Sequence, residues 1–594
     1  MSHIPPRRRL IATLGVAAAT TIALVASTGA APALAQGHAA VAKPHKPKPP
    51  VKPNMKLQIL AINDFHGQLE PSTSSSSGVI NGTPAGGAEY LATHLAKVRA
   101  LAKSNGRHSV TVAAGDLIGA TPLLSAAFHD EPTITAMNKM GLQIASVGNH
   151  EFDEGWRELR RMQTGGCLAD GDGKNNQNSC PTGSFHGADF QYLSANVTRT
   201  DTGRTVFPAV KVEKYDGVKV GFIGMTLENT PNIVTKSGVE GLKFSDEVET
   251  ANRLAKRMDS NGVKSIIVLV HEGGFPSDPT AYNSCPGISG PIVDINKGLS
   301  PRIDAVITGH THQAYNCKLL DPNDDPRLVT SGSSLGRLVT NIKLTISKKT
   351  GDVVRTSETA DNRVITRDVP KAASITTLIN RFKALVAPIE NKVIGHLASG
   401  TTSVSRTNDA SGESPLGNLI ADAQKNDTSA VTGGKTPEIA FMNPGGIRAD
   451  LASTGGSVSY GQAFSVQPFN NYDVAMDMTG SQILSLLDQQ WSGTNAASPK
   501  ILQVSGITYS YTKSGTTYTL KPETVQVNGA ALDKARTYRV VANSFLSDGG
   551  DGFPAFAGAV NKYFGGLDID AFARHLAAHD PYTPVATDRI TVAP

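Results

Sequence analysis

The sequence predicts an α/β protein with a layered sheet, divided into two or more domains. Three observations carry this. At 594 residues the chain is too long for a single hydrophobic core. From Leu57 onward, short β-branched runs alternate with longer helical patterns. Each of the first six apolar runs ends in a polar or glycine-rich turn, the position at which such folds gather their function.

The elements follow in chain order. Arg7-Arg8-Arg9, an apolar stretch from Leu10 to Ala26 and the small-residue triplet Ala33-Leu34-Ala35 read as an export signal over residues 1–35. The stretch is short for a membrane span, and no other run in the sequence is long and apolar enough for one. Residues 36–54 are rich in Pro, Lys and Ala and predict an extended, solvated spacer in which His38 and His45 are not ligands. This leader explains the charge. The formal net charge is +5, but residues 1–54 hold seven basic residues and no acidic one, leaving 49 basic against 51 acidic from residue 55 onward. A near-neutral body argues against a nucleic-acid-binding surface as the main function.

Strands are expected at Leu57–Ile62, Ser109–Ala113, Ile144–Val147, Val218–Gly221, Ser265–Val270, Ala305–Thr308 and Val339–Ile346, with helices at Glu89–Ala102 and Asp246–Met258. The period of Ile375, Leu378, Ile379, Phe382, Leu385 and Val386 predicts a connecting helix, with Pro388 near its end. Residues 366–393 are expected to act as a hinge between a first domain at 55–365 and a second at 394–594. In the second, helices are expected at Leu416–Gln424 and Ser481–Trp491, and strands near Ile439–Met442 and Tyr538–Ala542.

Four cysteines in an exported chain suggest disulfides. Cys167–Cys180 with Cys285–Cys317 is the sequence-near pairing, one of three connectivities. Zinc is disfavoured by the lack of a C-x-x-C spacing. Asp170-Gly171-Asp172-Gly173 hints at calcium but lacks the EF-hand spacing, so a plain surface loop is expected.

The after-strand loops hold the chemistry: Asp64-Phe65-His66, Gly115-Asp116, Gly148-Asn149-His150-Glu151-Phe152-Asp153, His271 and Gly309-His310-Thr311-His312. Each alone is unremarkable. Together they bring mixed nitrogen and oxygen donors to one sheet edge, a set suited to a pair of divalent transition metals. On these motifs the chain resembles the calcineurin-like metallophosphoesterases. Gly148-Asn149-His150-Glu151-Phe152-Asp153, with the second domain, narrows the resemblance to the secreted 5′-nucleotidase family, which also includes UDP-sugar hydrolases and 2′,3′-cyclic-nucleotide 2′-phosphodiesterases.

The resemblance implies an αββα first domain and a smaller α/β substrate domain. It implies two divalent ions, with zinc, manganese and cobalt all fitting. Asp64, His66 and His312 would hold one, Asn149, His271 and His310 the other, and Asp116 would bridge them. Hydrolysis would use a water that the ions activate, without a phosphoenzyme. His150 would act beside the metals on the phosphoryl or leaving oxygen, oriented by Asp153.

In the second domain, Asn443-Pro444-Gly445-Gly446-Ile447-Arg448, Pro468-Phe469 and Gly549-Gly550-Asp551-Gly552-Phe553 match the 5′-nucleotidase C-terminal domain. By this resemblance Phe469 and Phe545 clamp a nucleobase, Asp551 accepts from ribose hydroxyls, Asn443 lies near the base, and Arg448 reaches phosphate. Family members often carry two arginines before the Gly417-Asn418-Leu419 helix start, whereas only Arg406 is near it here. That departure tilts the expectation toward monophosphates. The expected protein is an exported or envelope-associated nucleotide hydrolase with a small-molecule substrate and no membrane segment after signal removal. A cyclic-nucleotide phosphodiesterase/3′-nucleotidase, a UDP-sugar hydrolase and a non-catalytic surface binding protein are the alternatives. Metal identity, base preference, export route and oligomeric state are not legible in the sequence.

Overall fold

Two six-stranded sheets pack face to face in the first domain of the computed structural model, which describes residues 53–72, 77–169 and 177–594. The export signal, most of the spacer and Asp170-Gly171-Asp172-Gly173 lie outside the described residues. In chain order the strands are β1 (Asn54–Ile62), β2 (His108–Ala114), β3 (Ile144–Ser146), β4 (Gln191–Leu193), β5 (Val210–Tyr215), β6 (Val218–Thr226), β7 (Ser265–His271), β8 (Ala305–Thr308), β9 (Ala314–Leu320), β10 (Pro326–Gly332), β11 (Leu338–Ser347) and β12 (Thr359–Val364). The first sheet runs β12-β11-β1-β2-β3-β4 and the second β9-β10-β8-β7-β6-β5. β1, β2 and β3 are parallel neighbours, as are β6, β7 and β8.

Side-chain alternation explains the layers. Leu57, Ile59 and Ala61 of β1 share the core between the sheets with Val110 and Val112 of β2, Phe222 of β6 and Ile267 and Leu269 of β7. The intervening Leu60 and Ile62 face outward onto Leu91 and Leu95 of helix α1 (Ala88–Ser104). On the far side Ile266, Val268 and Val270 meet Ala251 and Leu254 of α2 (Glu247–Ser260). Strands covered on both faces must be apolar at successive positions, hence the near-continuous β-branched runs. The expected strands are all present, and Val218–Gly221 is longer than expected, extending to Thr226.

Helix α3 (Ala373–Glu390) leads to the second domain. It buries Ile375, Leu378, Ile379, Phe382 and Val386. Phe382 packs on Phe128 with ring centroids 5.0 Å apart. Lys371, just before the helix, pairs with Glu89 at 2.7 Å and Lys383 with Glu70 at 2.8 Å. One apolar cluster runs from Leu91 and Phe128 through Phe382 and Val386 to Leu416, Phe464 and Leu576. The connector is therefore a packed element, and the described residues form one compact unit.

The second domain holds a five-stranded mixed sheet of β13 (Ile439–Met442), β14 (Tyr472–Thr479), β15 (Gln503–Ser505), β16 (Thr537–Asn543) and β17 (Val560–Leu567), in the order β15-β13-β16-β14-β17. The expected helix at Leu416–Gln424 spans Pro415–Lys425, capped by Ser414, whose hydroxyl accepts from Gly417 N. The helix expected at Ser481–Trp491 is Gly480–Asp488. Both sequence-near disulfides are formed, Cys167–Cys180 and Cys285–Cys317, with Cα separations of 5.5 and 5.2 Å. Among the described residues no helix is long and apolar enough to cross a membrane.

Candidate dimetal and nucleotide site

The C-terminal ends of β1, β2, β3, β7 and β8 place the after-strand residues at one edge of the sandwich. Two groups of ligand-type side chains form there, Asp64 with His66 and His312, and Asp116 with His271 and His310. Asn149 joins the second group, its Oδ1 lying 3.0 Å from His310 Nδ1. Asp116 Oδ2 lies 3.7 Å from His66 Nε2 and 2.9 Å from His271 Nε2, between the two groups. All seven proposed metal residues are thus brought together.

The imidazoles are oriented from behind. His66 Nδ1 donates to the Gly119 carbonyl at 2.9 Å and His271 Nδ1 to the Ala114 carbonyl at 2.7 Å. Each commits its N–H to a carbonyl, leaving the Nε2 lone pair facing the site. His66 Nε2 then stands 3.1 Å from His312 Nε2. The fully buried His271 Nε2 faces Asp116 Oδ2 at 2.9 Å. Lone pairs that converge without donors are what a cation satisfies, and this N/O set fits two divalent ions.

Electrostatics agree. Burial opposes ionisation of Asp116, but His271 and His150 outweigh it and hold the carboxyl well below its usual range. His312 and His271 likewise outweigh burial at Asp64. Burial pulls the His271 pKa down, but Asp116 outweighs it and, with no cation at the site, raises it to about 10. His310 is held at about 3 by burial and by His271, a neutral ligand imidazole.

The backbone is strained to make this edge. Asp64, His66, Asp116, His310 and His312 all have φ between +47° and +68°, a region non-glycine residues rarely occupy. Glycines admit the close approach. A Cβ on Gly148 would fall 2.1 Å from Asp116 Oδ1, and one on Gly115 2.5 Å from His271 Nδ1.

His150 lies beside the ligands, its ring centroid 5.3 Å from that of His66. Its Nδ1 is 2.8 Å from Asp153 Oδ2, and its backbone N donates to Asp116 Oδ1 at 3.0 Å. Burial lowers the His150 pKa, but Asp153 and Asp116 reverse this and raise it above the usual value.

The second domain closes over this edge. Phe469 stacks on His150 at 5.8 Å, and the Arg448 guanidinium lies 5.8 Å from the Phe469 ring. Arg406 and Arg448 line a cleft of about 600 Å³ together with His66 and His312. Asn443 Nδ2 donates to Asp551 Oδ2 at 2.7 Å. Phe545 packs over Gly550, close to Asp551. Phe469 and Phe545 thus have different partners, the first on His150 and the second on the Asp551 loop.

Sequence reasoning gave no role to three groups. Glu151 accepts N–H bonds from Asp116 at 2.8 Å, Leu117 at 2.7 Å and Gly148, lacing two ligand loops together, while burial pushes its carboxyl up to about 8. Its place inside the Gly-Asn-His-Glu run was the available signal. Asn543 donates to Asn443 Oδ1 at 2.9 Å, and Lys500 pairs with Asp551 at 2.7 Å. Neither lies in a motif.

Two family models match the sequence. The calcineurin-like phosphoesterase family matches residues 57–314, and the 5′-nucleotidase C-terminal domain matches residues 393–558. The chain is 33% identical over 527 residues to the cell wall protein Lmo0130 of Listeria monocytogenes, covering 84% of this chain and 64% of that one. It is 28% identical over 550 residues to the endonuclease YhcR of Bacillus subtilis, covering 91% of this chain and 41% of that one. The chain therefore spans less than two thirds of either relative. The solved structure of a 5′-nucleotidase precursor from Thermus thermophilus superposes with a TM-score of 0.72 at 23% identity, covering 91% of this chain and 99% of the other, a likeness of fold. With the two matches in sequence and the fold in agreement, the chain belongs to the family that joins a calcineurin-like phosphoesterase domain to a 5′-nucleotidase C-terminal domain.

Proposed function

We propose that the protein is an exported phosphohydrolase that removes phosphate from nucleoside 5′-monophosphates. The observation that carries this is the meeting of seven converging metal donors with Arg448, Arg406 and Phe469 of the second domain at one cleft. Asp64, His66 and His312 would hold one divalent ion, Asn149, His271 and His310 the other, and Asp116 both. Zinc, manganese and cobalt suit the donors. Bound there, two cations supply a water of lowered pKa and offset charge on the phosphoryl oxygens.

The protein's own groups do the rest. Arg448 and Arg406 neutralise and orient the phosphate. Asp153 fixes the Nδ1 side of His150, so that Nε2 serves the leaving oxygen with a proton. Phe469 and Phe545 offer aromatic faces to the base, and Asp551 with Asn443 meets the nucleoside's polar edge. The missing second arginine favours monophosphates over diphosphates and nucleotide sugars. Domain closure about residues 366–393 would bring the phosphate to the metal edge. Because α3 is packed along its length, we place the bending at its C-terminal end. The leader-type sequence and the relative named as a cell wall protein support an extracellular or envelope location.

The test is phosphate release from AMP, UMP, 2′,3′-cyclic AMP, ATP and UDP-glucose after chelation and metal add-back. AMP and UMP are expected to be the best substrates, with activity restored only by metal. Turnover that survives chelation would refute the mechanism, and inactivity on every nucleotide would refute the substrate class.

A further inference from the structure

Asp551 is the most heavily engaged carboxylate of the nucleotide-facing loops. Its backbone sits at φ +57°. Asn443 Nδ2 donates to its Oδ2 at 2.7 Å, Lys500 Nζ to its Oδ1 at 2.7 Å, and Asn495 Nδ2 to its carbonyl at 3.0 Å. The segment carrying Asn495 and Lys500 is firmly held. A Cβ on Gly552 would fall 2.2 Å from Thr494 Oγ1, Asn495 Nδ2 also donates to the Gln489 carbonyl at 3.0 Å, and Lys500 N donates to the Gln490 carbonyl at 2.8 Å. Lys500 is therefore placed by packing. Its side chain is 30% exposed and that of Asp551 11%, so the ammonium reaches solvent while the carboxylate is nearly covered.

Charge decides what such a pair tolerates. A lone carboxylate at the ribose end of a nucleotide would accept hydroxyls and repel a phosphate. Lys500 neutralises that carboxylate. An ammonium has three N–H donors, and the pair with Asp551 uses one. We propose that Lys500 makes the ribose end of the cleft a second anion subsite. The enzyme then accepts nucleotides that carry a phosphate on the ribose 2′ or 3′ oxygen while the 5′-phosphate is hydrolysed. This rests on the reading that Asp551 faces the ribose.

The experiment compares 5′-AMP, adenosine 3′,5′-bisphosphate and adenosine 2′,5′-bisphosphate in the metal-loaded full chain, with Lys500→Met and Lys500→Arg beside wild type. At least one bisphosphate is expected to be hydrolysed by wild type with kcat/KM within about threefold of AMP. Which of the two it is identifies the oxygen that faces Lys500. In Lys500→Met the bisphosphate-to-AMP ratio is expected to fall about tenfold, through KM, and in Lys500→Arg to hold. A wild-type ratio below roughly one hundredth, or a ratio unmoved in Lys500→Met, overturns the proposal. A merely structural lysine would lower both substrates together and leave the ratio unmoved. Inactivity on AMP would instead remove the underlying reading. Calorimetry then decides this proposal separately, because adenosine 2′- and 3′-phosphates that bind no tighter than adenosine overturn it.

Discussion

The candidate metal edge and the proposed nucleoside cradle are built on different rules. At the edge, ligand-type atoms converge on one another, as His66 Nε2 and His312 Nε2 do at 3.1 Å and His271 Nε2 and Asp116 Oδ2 do at 2.9 Å. In the cradle the polar side chains pair with one another. Asn543 serves Asn443, and Asn443 and Lys500 serve Asp551. The edge gathers groups that a cation would join, while the polar side chains of the cradle hold one another. The edge is expected to depend on metal and the cradle to keep its shape without it.

The largest effect tests that division directly. Asp116→Ala is expected to cost about 10³-fold or more in kcat, since the shared carboxylate is lost. Adenosine affinity should stay within about twofold, because the cradle lies apart from it. A parallel loss of nucleoside binding, read by calorimetry, would break the comparison. Next, His150→Asn should lower kcat about 10²–10⁴-fold with full metal content by elemental analysis, as expected for a proton-transfer group that is not a ligand. Loss of metal along with rate would make His150 part of the edge itself. Arg448→Ala should act across the boundary, costing about 10–100-fold in kcat/KM and sparing adenosine binding. Phe469→Ala should weaken AMP by about 1–3 kcal/mol in KM if its ring serves the base. An effect on kcat alone would mean that its stacking on His150 is its main role.

The smallest effect concerns stability. Asp473 on β14 is fully buried, and neither carboxyl oxygen has an N–H or O–H donor. Asp568, Asp427 and Arg574 face it, Arg574 being paired with Asp427 at 2.6 Å. Burial, then Asp568 and Asp427, push its pKa well above the ordinary value. The folded chain keeps this proton where the unfolded chain has lost it. Stability is therefore shed as pH rises from about 4, the unfolded value, toward the folded one. Asp473→Asn removes the titration. Its Tm relative to wild type should climb as pH rises above about 4, and a constant difference would refute the assignment.

Much of the first domain was legible because its signals are local. Apolar runs such as Ser265–His271 are long enough to need cover on both faces, and the ligand loops follow them within a few residues. The connector was legible from Ile375, Leu378, Ile379, Phe382 and Val386, but its packing was not. Pairing Phe382 with Phe128 joins residues far apart in sequence. Glu151 stood inside a recognisable run, yet its work of tying Asp116, Leu117 and Gly148 emerges only when β2 and β3 lie side by side. Lys500 sits in Ala-Ala-Ser-Pro-Lys, where nothing local marks it.

By itself the sequence determined the donor types, their order and their positions after strands, because hydrophobic period and loop chemistry are properties of neighbouring residues. It also located the positive charge in the first 54 residues and left the body near neutral. Only the tertiary structure decided which lone pairs converge, which imidazole nitrogen each carbonyl orients, and which charge answers Asp551. Those depend on contacts between segments hundreds of residues apart, such as His66 with His312, whose spacing no local pattern encodes.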